Sequence, residues 1–159
     1  MKILIVSDTH GRDRYLEQVV EREAPFDMLI HCGDVEGREF FIEALAECPC
    51  YIVSGNNDYY SDLPGEMETL IGGKRAWITH GHYYGISMNN RRVVDEALRR
   101  GCDMVFCGHT HRPVIEEYGN LLLVNPGSLT YPRQEGRKPS YAVMAVTWDG
   151  KIQTELRYL

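Results

Sequence analysis

Residues 2–10 of the chain, with the sequence KILIVSDTH, place four consecutive apolar residues shortly before an aspartate and a histidine. An apolar run of this length predicts a strand that is buried on both faces of a sheet. Asp8 and His10 then lie just beyond the carboxyl end of that strand. In an open α/β sheet this is the edge where ligands bind, so the segment predicts both a fold class and a place for the site.

The same arrangement recurs four more times along the chain. Each apolar run stops at polar residues that can bind a metal: MLI at 28–30 before Gly33-Asp34, YIV at 51–53 before the GNND of 55–58, AWI at 76–78 before the THGH of 79–82, and MVF at 104–106 before the GHTH of 108–111. Because the ends of parallel strands share one edge, the sequence predicts that these residues gather on a single rim.

The spacing of apolar residues alternates between strand and helix in the first half. Helical spacing at 13–23 and 38–47 separates predicted strands at 2–7, 27–31 and 50–54, and this β-α-β-α-β order predicts a parallel sheet with right-handed crossovers. A loop at 58–65 follows. Beyond it we predict, in order, strands at 66–71 and 75–79, a helix at 88–100 that ends at Gly101, and a strand at 103–107.

The last third has the alternation of half-buried strands around two turn signals. Gly119-Asn120 separates runs at 114–118 and 121–124, and Asp149-Gly150 separates runs at 141–148 and 151–158. Both pairs predict hairpins, so we expect mostly antiparallel strands in the second half. The two halves are expected to form two sheets packed face to face, with helices outside, in one domain covering 1–159.

Composition narrows the class of protein. Hydrophobic residues make up 43% of the chain, charged residues 25%, and the formal net charge is −6. These values are ordinary for a globular domain and disfavour a stable nucleic-acid complex, which usually needs a basic face. No signal peptide or membrane-spanning stretch is predicted, and five cysteines without C-x-x-C spacing indicate reduced thiols. We therefore expect a cytoplasmic protein without a membrane partner; its strand edges could pair in a homo-oligomer.

The rim residues are imidazoles, carboxylates and an amide: Asp8, His10, Asp34, Asn56, His80, His82, His109 and His111. Singly, each has an ordinary explanation, such as a loop histidine or a turn at Gly33-Asp34. Together they suit manganese, zinc, iron or nickel better than magnesium or calcium. They are too many for one ion, whereas two ions that share one carboxylate would use seven ligands. Two divalent ions, two carboxylates and a bridging hydroxide leave a net charge of about +1, which attracts a phosphate.

The motif order D-x-H, G-D, G-N-x-D, H-G-H, G-H-T-H over residues 8–111 resembles the calcineurin-like metallophosphoesterase superfamily. The segment from Asn125 to Arg133 resembles its small single-domain phosphodiesterase branch of bacteria and archaea. The resemblance implies a four-layer α/β/β/α sandwich of two mixed sheets with flanking helices. It also implies two ligand sets that share Asp34: Asp8, His10, Asp34 and His111 for one ion, and Asp34, Asn56, His80 and His109 for the other.

One residue departs from the pattern of this superfamily. Its third motif usually carries a histidine, the proposed acid for the leaving group, where this chain has Asn57. Asn57 cannot deliver a proton at neutral pH, so we expect slow turnover of poor leaving groups unless His82 replaces the acid. Asp58 is expected to orient Asn57 or a ligand histidine, and Ser128 and Arg133 to line the site.

The sequence thus predicts a phosphodiesterase that uses two divalent metal ions and a metal-bridging hydroxide on a small phosphoester substrate. Manganese is favoured, with zinc, iron or nickel as alternatives. A phosphomonoesterase, including a nucleotide phosphatase, is the nearest alternative. A non-catalytic scaffold of the retromer-subunit type is another, although the presence of His10 and of all four histidines in the last two motifs argues against it.

Overall fold

Ten strands and three α-helices alternate along the chain, and the computed structural model describes all residues, 1–159. The elements are β1 (Lys2–Val6), α1 (Arg14–Glu23), β2 (Met28–His31), α2 (Glu39–Ala46), β3 (Cys50–Ile52), β4 (Glu66–Ile71), β5 (Lys74–Thr79), a 3-10 turn (His82–Tyr84), α3 (Arg91–Arg99), β6 (Met104–Phe106), β7 (Val114–Tyr118), β8 (Leu121–Asn125), β9 (Ser140–Val146) and β10 (Ile152–Tyr158). The helix expected at 88–100 begins only at Arg91. No helix has the length and apolar character needed to cross a lipid bilayer.

The first sheet has the strand order β10-β9-β1-β2-β3. Strands β1, β2 and β3 are parallel, as the β-α-β-α-β pattern predicts, with Ile3 beside Met28 and Leu29 beside Cys50. The hairpin β9–β10 adds to the free edge of β1, where Leu4 pairs with Val143. The expectation that each half of the chain forms its own sheet is therefore wrong, because turn residues specify a hairpin but not the sheet that it joins.

The second sheet has the order β4-β5-β6-β8-β7. Only its outer pairs are antiparallel; β5, β6 and β8 run parallel, with Ala76 beside Met104 and Phe106 beside Val124. Because the pairs β9–β10 and β1–β9 are antiparallel as well, the expectation of mostly antiparallel strands in the second half is confirmed, and the pairs β5–β6 and β6–β8 are the exceptions. Helix α3 carries the chain from β5 to β6, and a strand-helix-strand crossover of this kind produces a parallel pair. Both sheets are mixed, as predicted.

Three apolar layers hold the sheets and helices together. The layer between the sheets includes Ile3, Ile5 and Met144 from the first sheet, and Ile78, Met104 and Phe106 from the second. The outer face of the first sheet packs on α1 and α2 through Leu4, Leu29, Leu16, Val19 and Ile42. The outer face of the second sheet packs on α3 through Trp77, Val105, Leu123, Val93 and Ala97. The predicted four-layer α/β/β/α sandwich is confirmed.

The carboxyl ends of β1, β2, β5 and β6 meet at one edge of the sandwich, and backbone hydrogen bonds join the loops that follow them. Asp8 N–H donates to Gly33 O at 3.0 Å, and Gly108 N–H donates to His80 O at 3.3 Å. The predicted rim therefore lies at the edge where both sheets end.

Candidate metal centre

Five of the predicted ligands have backbones in the left-handed region: Asp8 (φ 54°), His10 (49°), Asp34 (58°), His109 (66°) and His111 (56°). Residues with a Cβ rarely adopt this region, and strain of about 1–3 kcal/mol per residue is tolerated only where the surroundings enforce it. Here a hydrogen bond from His10 N–H to Asp34 O at 2.9 Å helps to do so. The strained loops direct their side chains toward a common point.

Two glycines make this close approach possible. A Cβ added at Gly55 would overlap the carboxylate of Asp34, and one added at Gly108 would overlap the hydroxyl of Ser7. Any larger residue at either position would push the carboxylate loops away from the rim.

Asp8, His10, Asp34 and His111 each offer one ligand atom, and these four atoms lie within 4.8 Å of one another. The His111 Nε2 atom is 3.0 Å from Asp8 Oδ1, and His10 Nε2 is 3.8 Å from Asp34 Oδ2. Asp8, Asp34 and His111 are buried and His10 is partly buried. Two carboxylates and two imidazoles therefore converge at one point with little contact with solvent.

The hydrogen bonds of the two imidazoles indicate that a cation fits this point. His111 Nδ1 donates to Tyr131 O, and His10 Nδ1 donates to a Glu36 carboxylate oxygen, both at 2.8 Å. In the neutral rings, the Nε2 atoms then carry lone pairs, yet they lie 3.4 Å apart. Asp8 Oδ1 is buried without a hydrogen-bond partner. Acceptors that face each other in this way fit a shared metal ion, and the bonds at Nδ1 are those that orient metal-binding histidines.

The structure brings the remaining predicted ligands to the other side of Asp34. His80 Nδ1 donates to Cys32 O at 2.7 Å, which leaves Nε2 at 3.5 Å from Asp34 Oδ2 and 3.1 Å from Asn56 Oδ1. The His109 ring lies 5.1 Å from the His80 ring, centroid to centroid. Again an imidazole lone pair faces oxygen acceptors. The donor set fits a second ion, and its assignment as a ligand set stays a prediction.

Charges within the centre change the pKa values of its members. Burial would raise the pKa of Asp8, but its contacts with His111, His80 and Ser7 outweigh burial and lower this pKa to about 2. Burial lowers the pKa of His109, whereas for His111 the neighbouring Asp8 carboxylate outweighs burial and raises it. Asp8 is therefore ionised and available as an anionic ligand at neutral pH.

Asp58 binds backbone rather than a side chain of the centre. Its Oδ2 atom accepts from the N–H groups of Asp34 (2.8 Å), Gly55 (2.7 Å) and Val35 (3.3 Å), while Oδ1 accepts from Glu36 N–H at 2.7 Å. The carboxylate thus clamps the loop that carries Asp34 to the loop that carries Asn56. We expected Asp58 to orient Asn57 or a histidine; the structure instead places it as an anchor for the Asp34 loop.

Asn57 contacts Asp34 twice. Its backbone N–H donates to Asp34 Oδ1 at 2.9 Å, and its side-chain Nδ2 donates to Asp34 Oδ2 at 2.8 Å. The side chain also lines the main cleft. A donor amide thus lies against the carboxylate that both predicted ligand sets share.

His82, the predicted substitute acid, lies next to Tyr83 and His80 and not among the residues that line the main cleft. Its ring stacks on Tyr83 with centroids 3.9 Å apart and lies 5.3 Å from the ring of His80. It does not line the main cleft, and burial lowers its pKa. At neutral pH the side chain is therefore uncharged, and its role as an acid stays a prediction.

Some supporting residues were missed by the sequence reasoning. Buried His31 accepts from Gly33 N–H at Nδ1 (3.2 Å) and so donates from Nε2 to Thr9 Oγ1 (3.0 Å), which ties together the loops after β1 and β2. Burial lowers its pKa to about 4, so it stays neutral. His31 could have been found from the sequence, because it lies at the end of the apolar run that forms β2. Glu36, the partner of His10, had no comparable signal because its contact depends on loop conformation.

The centre opens into a cleft of about 780 Å³, which is within the range of small-molecule sites. Its lining is almost wholly polar and includes Asp34, Asn56 and Asn57 from the centre, together with Arg112, Arg133 and Arg137. Arg133, predicted to line the site, does so. Ser128 is buried behind it, where its hydroxyl donates to Asp8 O at 2.8 Å.

Comparison with known proteins agrees with this architecture. The sequence profile of the calcineurin-like phosphoesterase superfamily domain matches residues 1–149. The probable metallophosphoesterase YsnB of Bacillus subtilis is 36% identical over 94% of this chain and 86% of its own length. The phosphodiesterase MJ0936 of Methanocaldococcus jannaschii is 31% identical over 80% of this chain and 83% of its own.

Solved structures share the fold as well. A crystal structure from Streptococcus pneumoniae, described as a predicted phosphoesterase, has a TM-score of 0.85 and 30% identity, covering 99% of this chain and 88% of its own. Vps29 of Entamoeba histolytica, solved with zinc, has a TM-score of 0.78 at 19% identity and covers 99% of both chains; it is alike in fold alone. The chain belongs to the calcineurin-like phosphoesterase superfamily, whose enzymes depend on metal ions.

Proposed function

We propose that the protein is a phosphodiesterase that acts on small phosphoesters with two divalent metal ions held by Asp8, His10, Asp34, Asn56, His80, His109 and His111. The observation that carries the proposal is the convergence of imidazole lone pairs and carboxylates on both sides of Asp34, with Asp8 Oδ1 buried and unpaired. Cations would compensate these facing acceptors, and the hydrogen bonds at Nδ1 already orient the rings toward them.

When bound, the ions would polarise the phosphoryl oxygens and acidify a coordinated water, the two functions of paired metals in phosphoester hydrolysis. The chain's own residues perform the rest. Asp34 sits between the two donor groups, the bonds from Nδ1 of His10, His80 and His111 keep their rings oriented, and Asp58 fixes the loop that carries Asp34. Asn57 lies at the cleft with an amide that can donate to a substrate oxygen.

Diester hydrolysis is favoured over monoester hydrolysis because a relative with 31% identity is named a phosphodiesterase. The likeness to Vps29 supports a second candidate, a protein scaffold without turnover. The close approach of two imidazole Nε2 atoms and two carboxylates disfavours the scaffold, which has no need of such a cluster of metal-ligand atoms. Manganese remains our favoured metal, with zinc, iron and nickel as alternatives.

The test joins metal analysis to an activity assay. Protein loaded separately with manganese, zinc, iron and nickel is assayed with bis(p-nitrophenyl) phosphate and with p-nitrophenyl phosphate, and bound metal is measured by mass spectrometry. We expect two ions per chain, with the diester preferred. Faster cleavage of the monoester would indicate the phosphomonoesterase, and neither metal nor turnover would indicate the scaffold.

The variant Asp34→Asn removes the charge that both ligand sets share. We expect it to lose at least one ion. Its activity should fall by more than about 10- to 100-fold, the loss that follows removal of an outer hydrogen-bond partner of a metal ligand. Asp62→Asn, a change on the exposed loop before β4, is the matched control and should keep both. If Asp34→Asn kept its full metal content and the parental rates, the proposal that both ligand sets share Asp34 would be disproved.

A further inference from the structure

The arginines that line the main cleft have no acidic partners. Arg112, Arg133 and Arg137 form part of its wall, and none of their guanidinium groups makes an ion pair or a side-chain hydrogen bond within the chain. Six other arginines are ion-paired, among them Arg38 with Asp13, Arg99 with Glu96, and Arg157 with Glu23, and the remaining unpaired ones do not line this cleft. In a protein with a net charge of −6, three unpaired cations on one cleft wall indicate a site for an anion outside the protein.

The arginine side of the cleft continues into a second cavity. This neighbouring space of about 390 Å³ shares Arg112 and Arg133 with the main cleft, and adds the polar side chains of Ser87, Asn90 and Thr110. Arg112 and Arg133 line both cavities, so they stand where one leads to the other. A substrate with its scissile phosphorus at the metal centre can therefore extend past them.

The backbone fixes these two arginines beside the metal ligands. Arg112 follows His111 directly, and Arg133 N–H donates to His111 O at 2.9 Å. Tyr131, whose carbonyl orients His111, belongs to the same loop as Arg133. The guanidinium groups are thus carried by segments bound to the centre itself, which sets the anion site next to the scissile phosphate.

The opposite side of the cleft has the other charge. A cavity of about 340 Å³ on the far side of Asn57 is lined by Glu36 and Glu39 together with Tyr59 and Tyr60. Carboxylates there would repel an anion, whereas the arginine side would attract it. The charge difference across Asn57 gives a substrate one preferred direction.

We propose that the substrate is a phosphodiester that carries a second, terminal phosphate on one arm, and that Arg112 and Arg133 bind this phosphate, with Arg137 adding charge. The inference rests on the proposed phosphodiesterase function and names its substrate class. A terminal phosphate suits the site because guanidinium groups bind phosphate oxygens in bidentate pairs, and its charge of nearly −2 matches two arginines.

The test compares a diadenosine dinucleotide with and without a 5′-phosphate. The ratio of kcat/KM for the phosphorylated over the unphosphorylated compound is measured for the parent, Arg112→Gln, Arg133→Gln and Arg22→Gln. Arg22, an exposed arginine in the last turn of α1 at the opposite edge, is the charge-matched control. We expect the parent ratio to exceed one. It should fall roughly 10- to 100-fold in each cleft variant, the range of a charge-assisted hydrogen bond, and stay unchanged in Arg22→Gln.

Equilibrium binding of the same two dinucleotides to chelator-treated protein, measured by calorimetry, separates this inference from the function on which it rests. Tighter binding of the phosphorylated compound that Arg112→Gln and Arg133→Gln abolish, together with no cleavage of either compound by the metal-loaded parent, would support the anion site and remove the phosphodiesterase. Cleavage of both compounds at equal rates, with equal binding, would overturn the anion site and leave the phosphodiesterase intact.

Discussion

At the scale of single residues, we expect Asn57 to limit which leaving groups the centre can release. Its amide donates to Asp34 Oδ2 at 2.8 Å and faces the cleft, but it has no proton to give to an alkoxide. His82 does not line that cleft, and its pKa is lowered by burial. Activity should therefore depend steeply on how well the leaving group departs without protonation.

We predict that Asn57→His increases turnover of alkyl diesters by about 10²- to 10⁴-fold, the usual contribution of a general acid, and of aryl diesters much less. The measurement is a plot of log kcat/KM against leaving-group pKa for a series of diesters. The slope should become shallower in Asn57→His and stay steep in Asn57→Gln, which changes size without adding a proton donor. Parallel plots for the parent and the histidine variant would contradict the prediction.

A second residue-scale prediction concerns Asp58, whose carboxylate accepts from four backbone N–H groups. The variant Asp58→Asn has one acceptor oxygen and turns an amide toward those donors. We expect it to lower the free energy of unfolding by about 2–3 kcal/mol, because hydrogen bonds to a charged group are among the strongest that folding gains. Urea unfolding in the presence of a chelator measures this directly. Asp62→Asn should show no such loss.

At the scale of elements, the connection from β8 to β9 holds the centre in place. Ser128 accepts at Oγ from the N–H groups of Thr130 (3.1 Å) and Tyr131 (2.9 Å), and donates to Asp8 O at 2.8 Å. Tyr131 O in turn accepts from His111 Nδ1. One buried hydroxyl therefore connects the loop after β1 to the loop whose carbonyl orients His111, a predicted metal ligand.

We expect Ser128→Ala to weaken metal binding by about 10- to 100-fold, as loss of an outer partner of a ligand does, although Ser128 is not itself a ligand. Metal affinity is measured by competition with a coloured chelator. Thr147→Ala removes a hydroxyl from the β9–β10 turn at the far edge of the sheet and should leave the affinity unchanged. An unchanged affinity in Ser128→Ala would show that the hydroxyl does not support His111.

The individual strands and loops differ in how far their sequence patterns predict them. Strands β1, β2 and β6 were predictable because continuous apolar runs are typical of strands covered on both faces. The hairpin β9–β10 was predictable from Asp149-Gly150, but its place beside β1 was not, since it depends on pairing across the whole chain. For the centre, motifs predicted residues that the structure does bring together. Contacts between loops, such as that of Glu36 with His10 and those of Asp58 with backbone N–H groups, leave no pattern in the local sequence.

At the scale of the whole molecule, buried Glu23 ties both ends of the chain to α1. Lys2 of β1 contacts its carboxylate at 2.9 Å, Arg157 of β10 at 2.5 Å, and the Tyr141 hydroxyl of β9 donates to it at 2.7 Å. Burial would raise the pKa of Glu23, but Arg157, Lys2 and Tyr141 outweigh it and lower this pKa from 4.5 to about 2. Ionised Glu23 is thus favoured by folding.

This depressed pKa predicts a specific loss of stability in acid. A carboxyl group with a lower pKa in the folded state stabilises fully above the unfolded value of about 4.5, and this contribution of about 2–3 kcal/mol disappears as the pH falls toward 2. Glu23→Gln should therefore lower the free energy of unfolding at pH 7 and cost progressively less between pH 4.5 and 2. Urea unfolding with chelator present measures the difference from the parent at each pH. Glu21→Gln, on the exposed face of the same helix, should show no such dependence, and a penalty for Glu23→Gln that stays constant with pH would contradict the assignment.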